Sequence, residues 1–287
     1  LQNAPPEGLA VTLRHGDDSY VAGEETAILE ALEGRRPWPR PKPPFPAAVG
    51  FRGRPTLVQN VETLARVPAA VADPDGFRRT ERTLVSVWGD VRRPGVYEVP
   101  LGTPLGQIVA DEAGGAPDGV GLVFPGGPST FPLDADGLAT GLDPDALKSA
   151  GSALGTAALL VVGASVARGD ALVSLARFFE RESCLQCPPC VMGTASLARI
   201  ARAAASRTAR AEELADARDV AGFMSGHGYC AHCRTGAAVV GGLLARAEGG
   251  WKAGLGPRAF DAFAPESPER TAIEAVLATL TGARAQP

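Results

Sequence analysis

Apolar residues are spaced in three ways along this 287-residue chain, and each spacing predicts a different architecture. Over residues 1–78 one helical pattern stands out, from Glu24 to Glu33, with Ile28, Ala31 and Leu32 on one side and Gly34 placed to end it. Six prolines between Pro37 and Pro46 then predict an extended, polyproline-like path with few backbone donors. Such a segment is too small and irregular to own a core. From Thr83 the pattern becomes β-like: residues 84–88 and 95–99 read as short strands around a turn at Arg93, Pro94 and Gly95, a hairpin signal. A short helical pattern from Leu105 to Ala113 stops at Gly114 and Gly115, and the apolar run 158–162 reads as a buried strand. A small α+β domain over 80–165 follows. Gly126 and Gly127 lack the following helix of a phosphate loop and read as a turn.

Beyond Gly169 the period lengthens to that of helices. Leu172, Leu175, Ala176 and Phe179 share one face, as do Leu197, Ile200, Ala201 and Ala204. Leu214, Ala217, Ala221 and Met224 mark a third helix, and 238–247 a fourth. A fifth opens with Ser267 as cap and Pro268 in its first turn, and runs through Ile273, Val276, Leu277 and Leu280 to Gly282. Residues 166–287 therefore read as a helical bundle without internal repeats.

An apolar content of 45% is enough for packed cores, while a net charge of −4 argues against the basic surface needed for nucleic acid or an anionic membrane. The longest apolar stretch, 156–167, is broken by Gly163 and Ser165 and falls short of the ~20 residues a bilayer requires. The start, Leu1-Gln2-Asn3, has no signal-peptide pattern, so cytoplasm is the expected compartment, and a start without methionine suggests a fragment.

All five cysteines lie after residue 183, and three fall within seven positions, which is not how a secreted disulfide framework is spread. Cys184, Cys187 and Cys190 have C-x2-C-x2-C spacing directly after a helix, so one tight loop can aim three thiolates at one iron-sulfur cluster. Cys230, in a loop between two later helices, is the expected fourth ligand of a [4Fe-4S] cluster. Zinc is the rival, since Cys230 and Cys233 form a second C-x2-C knuckle, but two knuckles would leave one of the first three cysteines idle. Cys187-Pro188-Pro189-Cys190 also has the form of a thioredoxin-like redox pair, although the strand-helix-strand context is missing. Cys233 reads as a small buried residue at a helix start, or as a substitute for Cys230. His15, His227 and His232 read as solvated.

Three separated motifs resemble the NADH-binding flavoprotein subunit of respiratory complex I and the related diaphorase subunits of NAD-linked hydrogenases and formate dehydrogenases. They are residues 20–27 continuing to Lys42, Phe45, Pro46 and 59–63; the segment from Gly95-Val96-Tyr97; and 182–190 with Gly226-His227 before Cys230. The resemblance implies a remnant of a flavin/NADH-binding α/β domain (1–78), a β-grasp domain of the SLBB, soluble-ligand-binding kind (80–165) and a helical iron-sulfur domain (166–287). It implies that Tyr20, Gly23, Glu24 and Glu25 line the flavin and nicotinamide pocket. By the same likeness Asn60 and Thr63 help to cradle FMN, and Lys42 and Phe45 approach the adenine end of NADH. Taken alone, Glu24 and Glu25 would be first-turn acids favoured by the helix dipole, and Lys42 a solvated side chain. Ala22, Gln59 and Leu185 depart from the family's usual cysteine, asparagine and glycine, and the glycine-rich flavin loop is expected upstream of residue 1.

The implied function is electron relay: NADH gives a hydride to FMN, and single electrons then pass through the cluster to a partner. The implied partners are a small thioredoxin-like Fe-S subunit and a larger Fe-S subunit of an NADH dehydrogenase, which would hold the chain at the inner membrane without a span of its own. No residue of this chain is expected to be catalytic by itself. A scaffold that has lost the flavin half, and a zinc-stabilised interaction protein, are the alternatives from other classes.

Overall fold

The computed structural model describes residues 10–12, 14, 16, 19–248, 256, 260 and 261. The chain divides into two compact units, Leu1–Asn60 and Val61–Pro287. His15 and the helix expected from Ser267 lie outside the described residues.

In the first unit a 3-10 turn, Tyr20–Gly23, leads into α1 (Glu25–Leu32), close to the expected span. Glu24 caps α1: its carboxylate accepts the N–H groups of Thr26 at 2.8 Å and Ala27 at 3.0 Å. Gly34, at φ +78, carries the chain out of the helix. The proline-rich stretch is not a uniform polyproline path, because the Lys42-Pro43 and Pro43-Pro44 bonds are cis. It folds back on α1 instead, where the Arg40 N–H donates to Thr26 Oγ1 at 2.8 Å and the Arg40 guanidinium pairs with Glu30 and Glu33.

The second unit opens with two helices the hydrophobic pattern had not signalled, α2 (Val61–Ala72) and α3 (Pro74–Arg79). Glu62 of α2 accepts the Leu84 N–H at 2.9 Å, tying α2 to the first strand. The expected hairpin is present as β1 (Arg82–Gly89) and β2 (Gly95–Pro100), antiparallel, with Val85 opposite Tyr97. The expected helix is a short α4 (Leu105–Gln107) running into a π-helical turn, Ile108–Glu112. Next come β3 (Val120–Phe124), β4 (Leu133–Asp134), α5 (Pro144–Ser149) and β5 (Ala158–Gly163). The sheet order is β2-β1-β5-β3-β4, with β5 parallel to β1 and antiparallel to β3.

Side chains alternate across a strand, so β5 serves two cores at once. Leu159 and Val161 join Val85, Val87, Ile108 and Leu147 on one face. Leu160 and Val162, with Leu122 and Phe124 of β3, meet the helices on the other. Burial on both faces is why β5 reads as an unbroken apolar run. Those helices are α6 (Arg168–Arg181), α7 (Pro188–Ala205), α8 (Ala211–His227) and α9 (Ala231–Glu248). No helix among the described residues is long and apolar enough to cross a membrane.

Gly89 adopts φ +90, and a β-carbon there would lie 2.2 Å from the Val161 carbonyl oxygen. Gly89→Ala should therefore cost more than about 2 kcal/mol, read as a fall in chemical-denaturation midpoint. Glu30, held at about 2 chiefly by its hydrogen bond from Arg35, stabilises the first unit fully above its ordinary 4.5, and that contribution fades as the pH falls toward 2. Amide resonances of Thr26 and Arg40 should leave their native positions over that window in the wild type. Glu30→Gln should shift them already at neutral pH and flatten the acid response.

Candidate metal centre

Four helix ends meet around the cysteines. The loop 182–187 links the end of α6 to the start of α7, and the loop 228–230 links the end of α8 to the start of α9. Gly193 of α7 touches Met224 of α8, where an added β-carbon would stand 2.4 Å from the Met224 sulfur, and Arg199 pairs with Glu213 at 2.7 Å. The pairings of 193 with 224 and of 199 with 213 set α7 and α8 antiparallel, so the start of one lies beside the end of the other.

The two cysteine loops are joined directly, because the backbone N–H of Tyr229 donates to the sulfur of Cys187. Cys187 is the cap of α7, Cys190 lies in its first turn, and both are 3% exposed; Cys184 is half-buried. Cys230 immediately precedes α9 and senses the charges of Cys184 and Cys190. The amino termini of two long helices thus flank the group, and their partial positive charge favours thiolates. Further donors surround the sulfurs: Gln186 Nε2 lies 3.5 Å from Cys184 Sγ, Ser183 Oγ lies 3.5 Å from Cys190 Sγ, and the N–H groups of His232 and Cys233 reach Cys230.

Burial pushes the Cys187 thiol above its ordinary range and Cys230 up to about 11. Cys190 moves the other way, held down first by a hydrogen bond from Cys233, against burial. Among the described residues no three His, Cys, Asp or Glu side chains gather as they would around one metal ion. A cubane presents four separate iron corners, so its ligands are distributed rather than gathered on a point. An all-sulfur donor set drawn from two loops, with N–H groups aimed at the sulfurs, fits that group.

His232 is not solvated: it is buried, its Nε2 lies 2.9 Å from the Phe179 carbonyl oxygen, and its ring packs 5.2 Å from the Phe179 ring. It pins α9 to α6 beside the cysteines. A histidine next to two cysteines carries no signal separating such a buried anchor from a surface residue. His227 is exposed and stacks on Phe223. Cys233 is fully buried, as its small-residue reading expects.

The first unit holds Tyr20, Gly23, Glu24, Glu25, Lys42, Phe45 and Asn60, while Thr63 is on α2 of the second. Lys42 is not a solvated side chain; its Nζ donates to Glu24 at 2.6 Å and also to Glu25. Burial pushes Glu24 up, but Lys42, Thr26 and Ala27 outweigh it and leave the carboxyl below its ordinary range. Tyr20 and Phe45 are exposed, Gly23 borders open space, and Asn60 donates its N–H to Gln59 Oε1 at 3.0 Å. Thr63 lines a cavity of 420 Å³ between α2, α3 and the sheet domain.

Fold and centre together define an iron-sulfur-binding helical region set on an SLBB-type sheet domain, and comparison with known proteins gives the same parts in the same order. Residues 170–249 match the NADH-ubiquinone oxidoreductase-F iron-sulfur binding region, 84–130 the SLBB domain and 1–69 the Nuo51 FMN-binding domain. Within that class the chain resembles the F subunit of NADH-quinone oxidoreductase. It is 42% identical to the F 2 subunit of Rhizobium meliloti over 192 residues, 64% of this chain and 46% of that one. To the F subunit of Mycobacterium tuberculosis H37Rv it is 39% identical over 232 residues, 78% and 52% of the two chains. The F subunit of Rickettsia bellii is 35% identical over 249 residues, 82% and 59%. Among solved structures, an NAD+-reducing [NiFe]-hydrogenase in the H2-reduced state matches with a TM-score of 0.71 and 32% identity, covering 95% of this chain and 47% of that one. The chain spans about half the length of the relatives it matches.

Leu185, between the first two cysteines, sits at φ +62 with its side chain 69% exposed. Glycine would relieve about 1–2 kcal/mol of steric cost and give back about 0.5–1 kcal/mol through a freer unfolded chain. Leu185→Gly is thus expected to raise Tm by roughly 1–4 °C in a calorimetric scan, whereas a fall of several degrees would mean that the leucine packs usefully.

Proposed function

We propose that this chain is the electron-relaying part of an NADH dehydrogenase (quinone) flavoprotein subunit, with Cys184, Cys187, Cys190 and Cys230 holding one [4Fe-4S] cluster. The observation that carries the reading is the Tyr229 N–H to Cys187 sulfur bond, which brings the Cys230 loop onto the C-x2-C-x2-C loop. When bound, such a cluster supplies one-electron transfer. The chain's own residues keep water from three of the four sulfurs, orient them from two helix starts, and offer N–H groups that favour their charged form.

Three functional regions follow on this reading: 1–78 as part of the flavin/NADH-binding domain, 80–165 as the β-grasp domain and 166–287 as the cluster domain. Tyr20, Gly23, Glu24, Glu25, Asn60 and Thr63 are assigned to FMN and nicotinamide, and Lys42 and Phe45 to the adenine end of NADH. The remainder of the flavin site, a small thioredoxin-like Fe-S subunit and a larger Fe-S subunit complete the complex. Its place is the cytoplasmic side of the inner membrane, reached through those partners. The likeness to an NAD+-reducing hydrogenase favours a second reading, in which the same relay serves a hydrogenase as its diaphorase part.

Anaerobic purification followed by iron and acid-labile sulfide assay is expected to give four of each per chain, with an electron paramagnetic resonance signal on reduction. Cys184→Ala and Cys230→Ala should each abolish that signal. Stoichiometric zinc in colourless protein would overturn the reading.

A further inference from the structure

A four-ligand cluster leaves one of the five cysteines over, and this fifth sulfur is the most deeply placed of all. Cys233 is 0% exposed, in the first turn of α9. The loop before it is shaped around its side chain: a β-carbon on Gly228 would stand 2.4 Å from Cys233 Cβ and 2.6 Å from Cys233 Sγ. Gly228 has φ −80, ordinary for any residue, so close approach to Cys233 is what requires a glycine there. The Cys233 sulfur lies within hydrogen-bonding reach of two acceptors, the Met224 carbonyl oxygen at 3.4 Å and the Cys190 sulfur.

The geometry points to Cys233 as a positioning residue for electron transfer: its thiol donates a hydrogen bond to the Cys190 thiolate and so sets the reduction potential of the cluster that Cys190 ligates. This rests on the cluster assignment above. A thiol has one proton to give. An iron-bound thiolate carries more negative charge than a peptide carbonyl, so with Cys190 as ligand the proton goes to Cys190, and the Met224 oxygen keeps the thiol in line from the other side. A donor to a ligand sulfur favours the more electron-rich, reduced state and raises the potential. The role is distinct from ligation: Cys230 lies in the loop before α9, next to the Tyr229 whose N–H meets Cys187, whereas Cys233 lies inside the helix with its sulfur 3.4 Å from the Met224 carbonyl oxygen. Serine offers an equivalent donor at this position, and alanine offers none.

The test is a redox titration of the reduced-cluster paramagnetic signal in the wild type, Cys233→Ser and Cys233→Ala, with iron and sulfide counted in each. All three proteins are expected to hold a full cluster, with the midpoint potential shifted downward in Cys233→Ala and at or above the wild-type value in Cys233→Ser. An unshifted potential in Cys233→Ala, or equal downward shifts in both variants, overturns the inference and leaves the cluster assignment standing. Loss of the cluster from Cys233→Ala and Cys233→Ser, with retention in Cys230→Ala, makes Cys233 the ligand and also overturns it. A wild-type chain without iron overturns the assignment and the inference together.

Discussion

One hydrogen bond, from the Tyr229 backbone to the Cys187 sulfur, closes two loops that lie 42 residues apart into a single site. The packing of α7 against α8 and α9 brings the loops close, and this bond fixes how the Cys230 loop meets Cys187. Bringing sulfurs together out of water is costly, since each buried anion forfeits several kcal/mol of hydration. Two helix termini return only about 0.3–1 kcal/mol each. Hydrogen bonds to charged acceptors contribute about 1.5–3 kcal/mol apiece, and the sulfurs here have several. The N–H groups, rather than the dipoles, therefore decide whether the thiolates are tolerated.

That closure requires four helix ends to stay in register, and the sheet supplies the footing. β5 presents Leu160 and Val162 to the bundle and Leu159 and Val161 to the α4 and α5 side, so neither core can shift without moving the other. α6 lies on this platform through Leu172 and Leu175. His232 then carries its position to α9 by bonding the Phe179 carbonyl, and Gly236 lets the Phe179 ring lie against the backbone. Rigid support of this kind limits the rearrangement that accompanies a change of charge at the cysteines.

The parts legible in the sequence are those with long periods or rare residues. The hairpin, β5 and the four described bundle helices are announced by apolar spacing, and the cysteines by their clustering. β3 was hidden because Gly119 and Gly121 flank its start and imitate a turn, while β4 has only two residues. α2 carries Leu64, Val67 and Val71 at helical spacing, but Pro68 falls among them; α3 and α5 are too short for periodicity, although Asp73-Pro74 and Asp143-Pro144 are capping pairs that could have revealed both. The cis bonds at Pro43 and Pro44, the buried His232 and the Gly228 contact depend on tertiary neighbours, which spacing does not encode.

The two sets of candidate site residues differ in a way that bears on the division of labour. The cysteine loops are already joined to each other and have donors in place. Lys42, by contrast, is occupied by Glu24 and Glu25, and Glu24 is itself committed to capping α1. Two carboxylates and one ammonium sum to a net negative charge, which repels phosphate instead of cradling it. A nucleotide approaching this triad would therefore present its neutral, hydrogen-bonding rings, and its phosphates would need basic or N–H groups from elsewhere. On the proposed reading, these residues orient the nicotinamide and adenine rings of NADH, and the binding energy for its pyrophosphate comes from the rest of the flavin domain.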